Sequence, residues 1–199
     1  WGRKDPFLGA SEINGNKEAG SSLKWPSPVT SNPVTGTIEY SVENPTTFIY
    51  CNDLNADWCY TGSSSMDESR WQSSKTIYDP CPAGWRVPDG GSNGIWSKAL
   101  GSSSSFTQSS LYDSTNEGMN FSGKFGSAST IWYPASGCDV GSLGSLGNVG
   151  YGGLYWSASP YSDNAYGLLF GSGGLVSPSF DLAFEDADGL LIFLDYVGI

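Results

Sequence analysis

The chain has 199 residues, 38% of them hydrophobic, with 8 Trp, 11 Tyr and 9 Phe, enough for one large domain with a packed core or two small ones. A formal net charge of -11 sets the chain against phosphate backbones and anionic membrane surfaces, so nucleic acid is not an expected partner. With no His anywhere, Ser-His-Asp and Cys-His catalysis and imidazole metal sites are excluded.

Residues 1–35 are polar and punctuated by Pro6, Pro26, Pro28 and Pro33, which predicts extended or irregular backbone around Trp1, Phe7 and Trp25. Residues 37–42 and 46–51 read as short strands separated by an Asn44-Pro45 turn. A polar loop over 53–72 carries Trp58, Tyr60 and Trp71. The run from Pro80 to Pro88 reads as a rigid connector, because its prolines fix φ and Gly84 permits a tight turn. Residues 95–100 are a helix candidate with Ser92 or Asn93 as the expected cap, followed by a Ser-rich loop over 101–110.

Beyond Met119 the pattern is β. Short aromatic or aliphatic runs at 119–125, 130–135, 153–159, 166–170 and 190–196 are bounded by Gly, Ser, Pro and Asn. In the fourth of these, Tyr166, Leu168 and Phe170 share one face, expected to be core, and Gly167, Leu169 and Gly171 share the other. The continuous apolar run 190–194 suits a strand buried on both sides. No internal repeat and no long linker divides the chain, so the expectation is one α+β domain over 1–199 with much irregular loop.

Four cysteines, Cys51, Cys59, Cys81 and Cys138, have no zinc spacing; they allow three full pairings. Cys51–Cys59 could bridge a loop, and buried thiols are the alternative. Asp53-Leu54-Asn55-Ala56-Asp57 has the alternating oxygens of a calcium loop, but Trp58 stands where Gly is needed and Ser64 where the bidentate Glu belongs. A polar turn is the simpler reading there, and an acidic turn is the simpler reading of Glu185-Asp186-Ala187-Asp188-Gly189. No metal site and no cofactor is called, and no phosphate or dinucleotide loop is present. Trp85, Trp96, Trp132, Tyr155 and Trp156 are expected in the core. The segment from Phe180 to Glu185 mixes large apolar and acidic residues with no steady period, which fits either an interface loop or irregular packing. No Lys or Arg follows Lys124, whereas Asp139, Asp163, Asp181, Glu185, Asp186, Asp188 and Asp195 do, so the last third is either a solvated acidic face or a ligand-facing one. No stretch is long and apolar enough for a transmembrane helix. No signal peptide is visible, and the chain opens at Trp1 as if within a module, so a targeting segment is expected to lie outside it.

Three segments carry a family resemblance: Trp1-Gly2-Arg3-Lys4-Asp5-Pro6-Phe7; the run from Arg70-Trp71-Gln72 to Pro80-Cys81-Pro82-Ala83-Gly84-Trp85-Arg86-Val87-Pro88, the most specific; and Gly153-Leu154-Tyr155-Trp156-Ser157-Ala158-Ser159-Pro160-Tyr161, continuing into 165–170. Together they resemble the Fibrobacter succinogenes major paralogous domain, common in surface proteins of gut Bacteroidetes. The resemblance implies a C-type-lectin-like fold with short antiparallel strands and one or two short helices. It also implies an extracellular or cell-surface location, in a lipoprotein, a pilus-associated adhesin or a phage virion. Some members are hypervariable proteins of diversity-generating retroelements, which implies a scaffold over about 1–135 and a variable ligand-binding region over about 136–199.

The chain departs from the family pattern where such variation would fall. After Val176 the usual Asn-rich run and Arg-Ala pair are replaced by Ser177-Pro178-Ser179-Phe180-Asp181-Leu182-Ala183-Phe184-Glu185, and Leu191-Ile192-Phe193 stands where Ser-Val-Arg is usual. The tripeptides of calcium-dependent sugar binding are missing. The expectation is therefore a binding module and not an enzyme. Its ligand-binding candidates are Asp139, Tyr161, Asp163, Gly167, Leu169, Gly171, Phe180, Asp181, Leu182, Phe184 and Glu185. The expected partner is a protein or glycan on another cell or surface; the alternative is a structural subunit packing against other pilus subunits through its C-terminal segment.

Overall fold

Two runs of strand-forming residues, Gly152–Tyr161 and Asn164–Gly171, fold back on each other and organise everything around them. The structure is a computed structural model that describes residues 28–45, 47–51, 57–62, 67–121, 131–140, 145–162, 164–182, 191–192 and 195–196. In chain order the elements are β1 (Val29–Thr30), α1 (Ile38–Glu43), β2 (Ile49–Tyr50), β3 (Trp85–Arg86), α2 (Ile95–Leu100), β4 (Phe106–Thr107), a 3-10 turn (Ser109–Leu111), β5 (Tyr112–Asp113), β6 (Gly118–Asn120), β7 (Trp132–Pro134), β8 (Ser136–Val140), β9 (Ser145–Val149), β10 (Gly152–Tyr161), β11 (Asn164–Gly171), β12 (Leu175–Leu182), β13 (Leu191–Ile192) and β14 (Asp195–Tyr196). The protein is mixed α+β, mostly strands, with two short helices and long loops. Seven strands form the main sheet in the order β4-β12-β11-β10-β8-β9, with β13 also paired to β10. The β10–β8 and β10–β13 pairings are parallel and the others antiparallel.

Both faces of this sheet are covered. Leu154, Trp156 and Ala158 of β10 and Ala165 of β11 join Trp71, Cys81, Val87 and Cys138 in one cluster. The alternate residues Tyr155, Leu168 and Phe170 join Trp96, Leu111, Met119, Phe121, Tyr133, Ala135 and Val176 in another. Period-two alternation therefore sorts each strand between two cores. The second cluster is knitted by rings: Tyr133 meets Tyr155 edge-on at 5.1 Å, and Tyr155 stacks on Phe170 at 6.1 Å. Its polar tips are satisfied, the Trp96 indole donating to the Tyr133 hydroxyl at 3.0 Å and the Tyr155 hydroxyl to the Pro134 carbonyl at 2.7 Å. Gly153 is required here, since a Cβ would lie 2.2 Å from the Phe170 ring.

Two irregularities shape the sheet. Between Trp156 and Pro160, β10 uses four steps while β11 takes two, from Gly167 to Ala165. Between Ser177 and Phe180, β12 takes three steps while β11 takes two. Each is a bulge, and each contains or ends on a proline (Pro160, Pro178), which has no N–H to give a ladder. The β12 bulge reverses the side-chain parity. Val176 faces the cluster of Tyr155, and Phe180 packs against the cluster of Trp156.

Several expectations are corrected. Residues 38–43 are helix, not strand: the Thr37 hydroxyl accepts from Tyr40 N at 3.0 Å and caps the turn. Upstream, the Asn32 carboxamide accepts from Val34 N and Thr35 N and steers the chain into it. The α2 cap is Gly94, without a side-chain bond, so neither Ser92 nor Asn93 serves. Instead Ile95 N donates to Asp89 O, and the buried Ser97 hydroxyl donates to Gly91 O. Trp85 is 38% exposed on its two-residue strand, and Trp132 is half-buried, leaving Trp96, Tyr155 and Trp156 in the core. Within 190–196 the described residues form two separate strands rather than one: β13 on β10, and β14 on β3. The four cysteines are thiols. Cys51 and Cys59 belong to the small cluster of Ile49 and Trp58, and Cys81 and Cys138 to that of Trp156.

Candidate functional site

The β10 bulge opens the sheet where a loop docks. Ala158 N donates to Pro88 O at 2.8 Å, the Ser159 hydroxyl accepts from Gly90 N at 3.0 Å, and the Ser157 hydroxyl donates to Tyr166 O at 2.6 Å. The loop approaches so closely that glycine is obligatory. A Cβ on Gly90 would stand 2.2 Å from the Ser157 hydroxyl, and Gly91 has φ +75° with its Cβ direction against the Tyr166 ring. Tyr166 in turn supports Tyr161, the two rings lying 4.7 Å apart and tilted by 43°. Tyr161 is 42% exposed at the end of β10.

Beside this bulge lies a cleft of about 540 Å³, lined by Glu68, Ser69, Gln72, Ser73, Ser74, Ala158, Ser159 and Pro160. Its outer wall is the turn 68–74, which is pinned from behind. Arg70 is buried, and its Nη2 holds both oxygens of the fully buried Asp57 at 2.7 and 2.6 Å. The guanidinium also lies over the Trp58 ring, 5.6 Å from its centroid. The Trp71 indole donates to Tyr78 O, and the Thr76 hydroxyl to Arg70 O. Arg70 and Trp71 thus point inward, and their neighbours Glu68, Ser69, Gln72, Ser73 and Ser74 face solvent.

Aspartates act as hubs through this wall. Asp79 accepts from Lys75 at 2.8 Å, from Cys81 N at 2.9 Å and from Val87 N at 3.0 Å. Burial would raise its carboxyl, but those donors outweigh burial and hold it below the usual range. Asp89 is also lowered: burial opposes, and the bidentate Arg86 contact at 2.9 and 2.7 Å and the Ser73 hydroxyl prevail. Asp67 is lowered first by the Ser69 hydroxyl, with Arg70 assisting. The Cys81 thiol goes the other way. Burial, reinforced by Asp79, pushes it up to about 12, so it is not a nucleophile at neutral pH.

The predicted site residues separate. Tyr161 is exposed and follows the lining residue Pro160 in the chain, but is not itself part of the cleft lining; its ring rests on Tyr166. Gly167 is buried opposite Phe180, and Leu169 and Phe180 are half-buried against the cluster of Trp156, so the face expected to be open carries a second core. Gly171 is half-buried at the far end of β11, opposite Gly152. Asp139 lies in β8 opposite Leu146, and Asp181 and Leu182 lie in β12 opposite Tyr166 and Ala165. Asp163, Phe184 and Glu185 lie outside the described residues, as do most of the calcium-like run at 53–57 and all of 185–189. Asp57, the one described member of that run, serves Arg70.

Sequence reasoning missed Glu68, Gln72, Ser73, Ser74 and Ser159. They lie in polar stretches with no apolar period, and Pro160 is the signal that could have drawn attention to the bulge. Among the described residues no group of three or more Cys, Asp or Glu is placed to hold a metal, and no helix is long and apolar enough to cross a membrane. No protein-family model, no curated protein and no solved structure matches this chain.

Proposed function

We propose that this chain is a C-type-lectin-like ligand-binding domain of an extracellular adhesin, and that the cleft at the β10 bulge is its contact surface. The observation that carries this reading is an open polar cleft whose walls are held from behind, with the exposed Tyr161 next in the chain to its lining residue Pro160. Binding surfaces favour such an arrangement, an aromatic anchor beside polar groups on a preorganised frame. The family resemblance supplies the surface location and the role of the C-terminal third as the region that varies. Within that third, Ala158, Ser159 and Pro160 of β10 line one side of the cleft, and residues 68–74, from the scaffold portion, line the other.

The mechanism is display without chemistry. The two cores fix β10 and β11, the Asp hubs fix the turn 68–74 and the loop 88–90, and the ligand meets side chains already in place. Beads carrying many copies of the chain test this against panels of host and bacterial cells. Adhesion should be lost in the double variant Tyr161→Ala/Gln72→Ala while its urea midpoint stays that of the parent. Undiminished adhesion by the double variant would sink the reading.

A further inference from the structure

The cleft is sorted by charge. Of the four described basic side chains, Arg70, Lys75 and Arg86 flank the cleft wall, and each is held by a carboxylate: Arg70 by Asp57, Lys75 by Asp79 and Arg86 by Asp89. The fourth, Lys98, is on α2, where its charge is also directed at Asp89 and helps lower that carboxyl. No cation in the wall is thus left over to receive an anionic group. The lining itself offers the opposite. Glu68, Gln72 and Ser74 have no side-chain hydrogen bond or ion pair among the described residues, and Glu68 is the one carboxylate among the described lining residues. Asp67 adds a second, partly exposed carboxylate next to it, 3.8 Å from Arg70. Ser69 and Ser73 hydroxyls are committed to Asp67 and Asp89, which leaves the Glu68 carboxylate, the Gln72 carbonyl and the Ser74 hydroxyl as acceptors facing solvent. Next in the chain to Pro160, the part-exposed Tyr161 ring offers the negative face of an aromatic quadrupole.

Acceptors, an uncommitted carboxylate, a part-exposed ring nearby in the chain and a net charge of -11 complement one chemistry, a donor-rich cation. We infer that the cleft takes a lysine or arginine side chain of a partner protein, with its ammonium or guanidinium directed at Glu68 and Gln72 and its stem lying along Pro160 and Tyr161. The inference rests on the reading of the cleft as the binding surface and names the class of ligand for it. A neutral glycan is the competing occupant. It would use the same amide and hydroxyls, but the charge on Glu68 would matter little to it.

The experiment is an NMR titration of the isotopically labelled full chain with four small probes. These are Nα-acetyl-arginine methylamide, Nα-acetyl-lysine methylamide, Nα-acetyl-glutamate methylamide and maltotriose. The inference expects the arginine and lysine probes, and not the glutamate probe, to shift the Gln72 side-chain amide and the backbone amides of Ser73 and Ser159. It expects Glu68→Gln, which keeps the side chain's shape, to weaken that binding about two- to fivefold, as loss of an exposed charge pair would. Raising salt from about 0.05 M to about 0.5 M should weaken it as well. Maltotriose shifting those same signals, equally in the parent and in Glu68→Gln, would overturn the cationic assignment and leave the cleft as the binding surface. No cleft shift with any probe would also overturn it; the adhesion of the Tyr161→Ala/Gln72→Ala variant then decides separately whether the cleft is the contact surface at all.

Discussion

The central strands and the wall over 57–90 are stabilised by different physics. Strands β10 and β11 are held by burial: rings and aliphatic side chains on both faces, with glycines where a ring needs the space. The wall has few regular elements; beyond the burial of Trp58, Trp71, Cys81 and Val87, it is held by charge. Asp57, Asp79 and Asp89 each gather a cation, and Asp57 and Asp79 backbone N–H groups as well. The difference shows how a loop can be as well positioned as a strand. A carboxylate accepting several directed bonds fixes irregular backbone between the few side chains, such as Trp71, Cys81 and Val87, that reach the core. The cleft forms at the seam, where the β10 bulge turns its backbone toward the wall.

The contrast breaks most visibly at the buried ion pair. Arg70→Ala leaves Asp57 charged and unpaired at zero exposure, and is expected to cost about 3–5 kcal/mol in urea unfolding. Asp57→Leu/Arg70→Met, which removes both charges, should recover most of that loss. Equal damage from the single and double variants would contradict an electrostatic frame. Next in size is overpacking in the sheet. Gly153→Ala drives a methyl into the Phe170 ring and should cost about 1–3 kcal/mol, read as a shift in urea midpoint at unchanged slope.

Acid separates the two regions without mutation. Asp67, Asp79 and Asp89 are more acidic in the folded chain than the ordinary value of 3.8. A lowered folded pKa gives stability that is fully present above the unfolded value and is lost as pH falls through the folded one. Below about pH 4 the wall should loosen first. Hydrogen exchange at the amides of Cys81 and Val87, both bonded to Asp79, should speed up before exchange in β10 and β11. Simultaneous loss of protection in both regions would merge what we have separated. The smallest expected effect on stability is at the exposed Tyr161. Tyr161→Ala should change stability by about 0.5 kcal/mol or less in the same urea assay.

The apolar half of this construction was legible in the sequence, and the charged half was not. Apolar runs bounded by turn residues marked 153–159 and 166–170 as strands, alternation sorted the faces of the second, and Gly101, in the left-handed region at φ 70°, closes the helix expected at 95–100. Residues 37–42 misled because Ile38, Tyr40 and Val42 alternate as a strand would. The Thr37 cap decides for helix, and period alone does not reveal it. Gly167 and Leu169 were assigned to an open face because a second core cannot be read from one strand. Its members Trp71, Cys81 and Val87 arrive from a distant loop. The bulges depend on pairings between strands, so their only local trace is Pro160 and Pro178. Aspartate hubs leave still less trace, since Asp57, Asp79 and Asp89 look like any loop aspartate until their donors fold around them.

The central claim is that recognition occurs at the seam and not elsewhere on the sheet. The opposite end of the central hairpin offers its own exposed side chains, Tyr151 at 44% and Leu175 at 43% exposure. An alanine scan of bead adhesion over Gln72, Ser74 and Tyr161 at one end and Tyr151 and Leu175 at the other compares them directly. The account predicts loss of adhesion at the first three positions with parental binding at the other two. Loss at Tyr151 or Leu175, with the cleft variants adhering as the parent does, would contradict it.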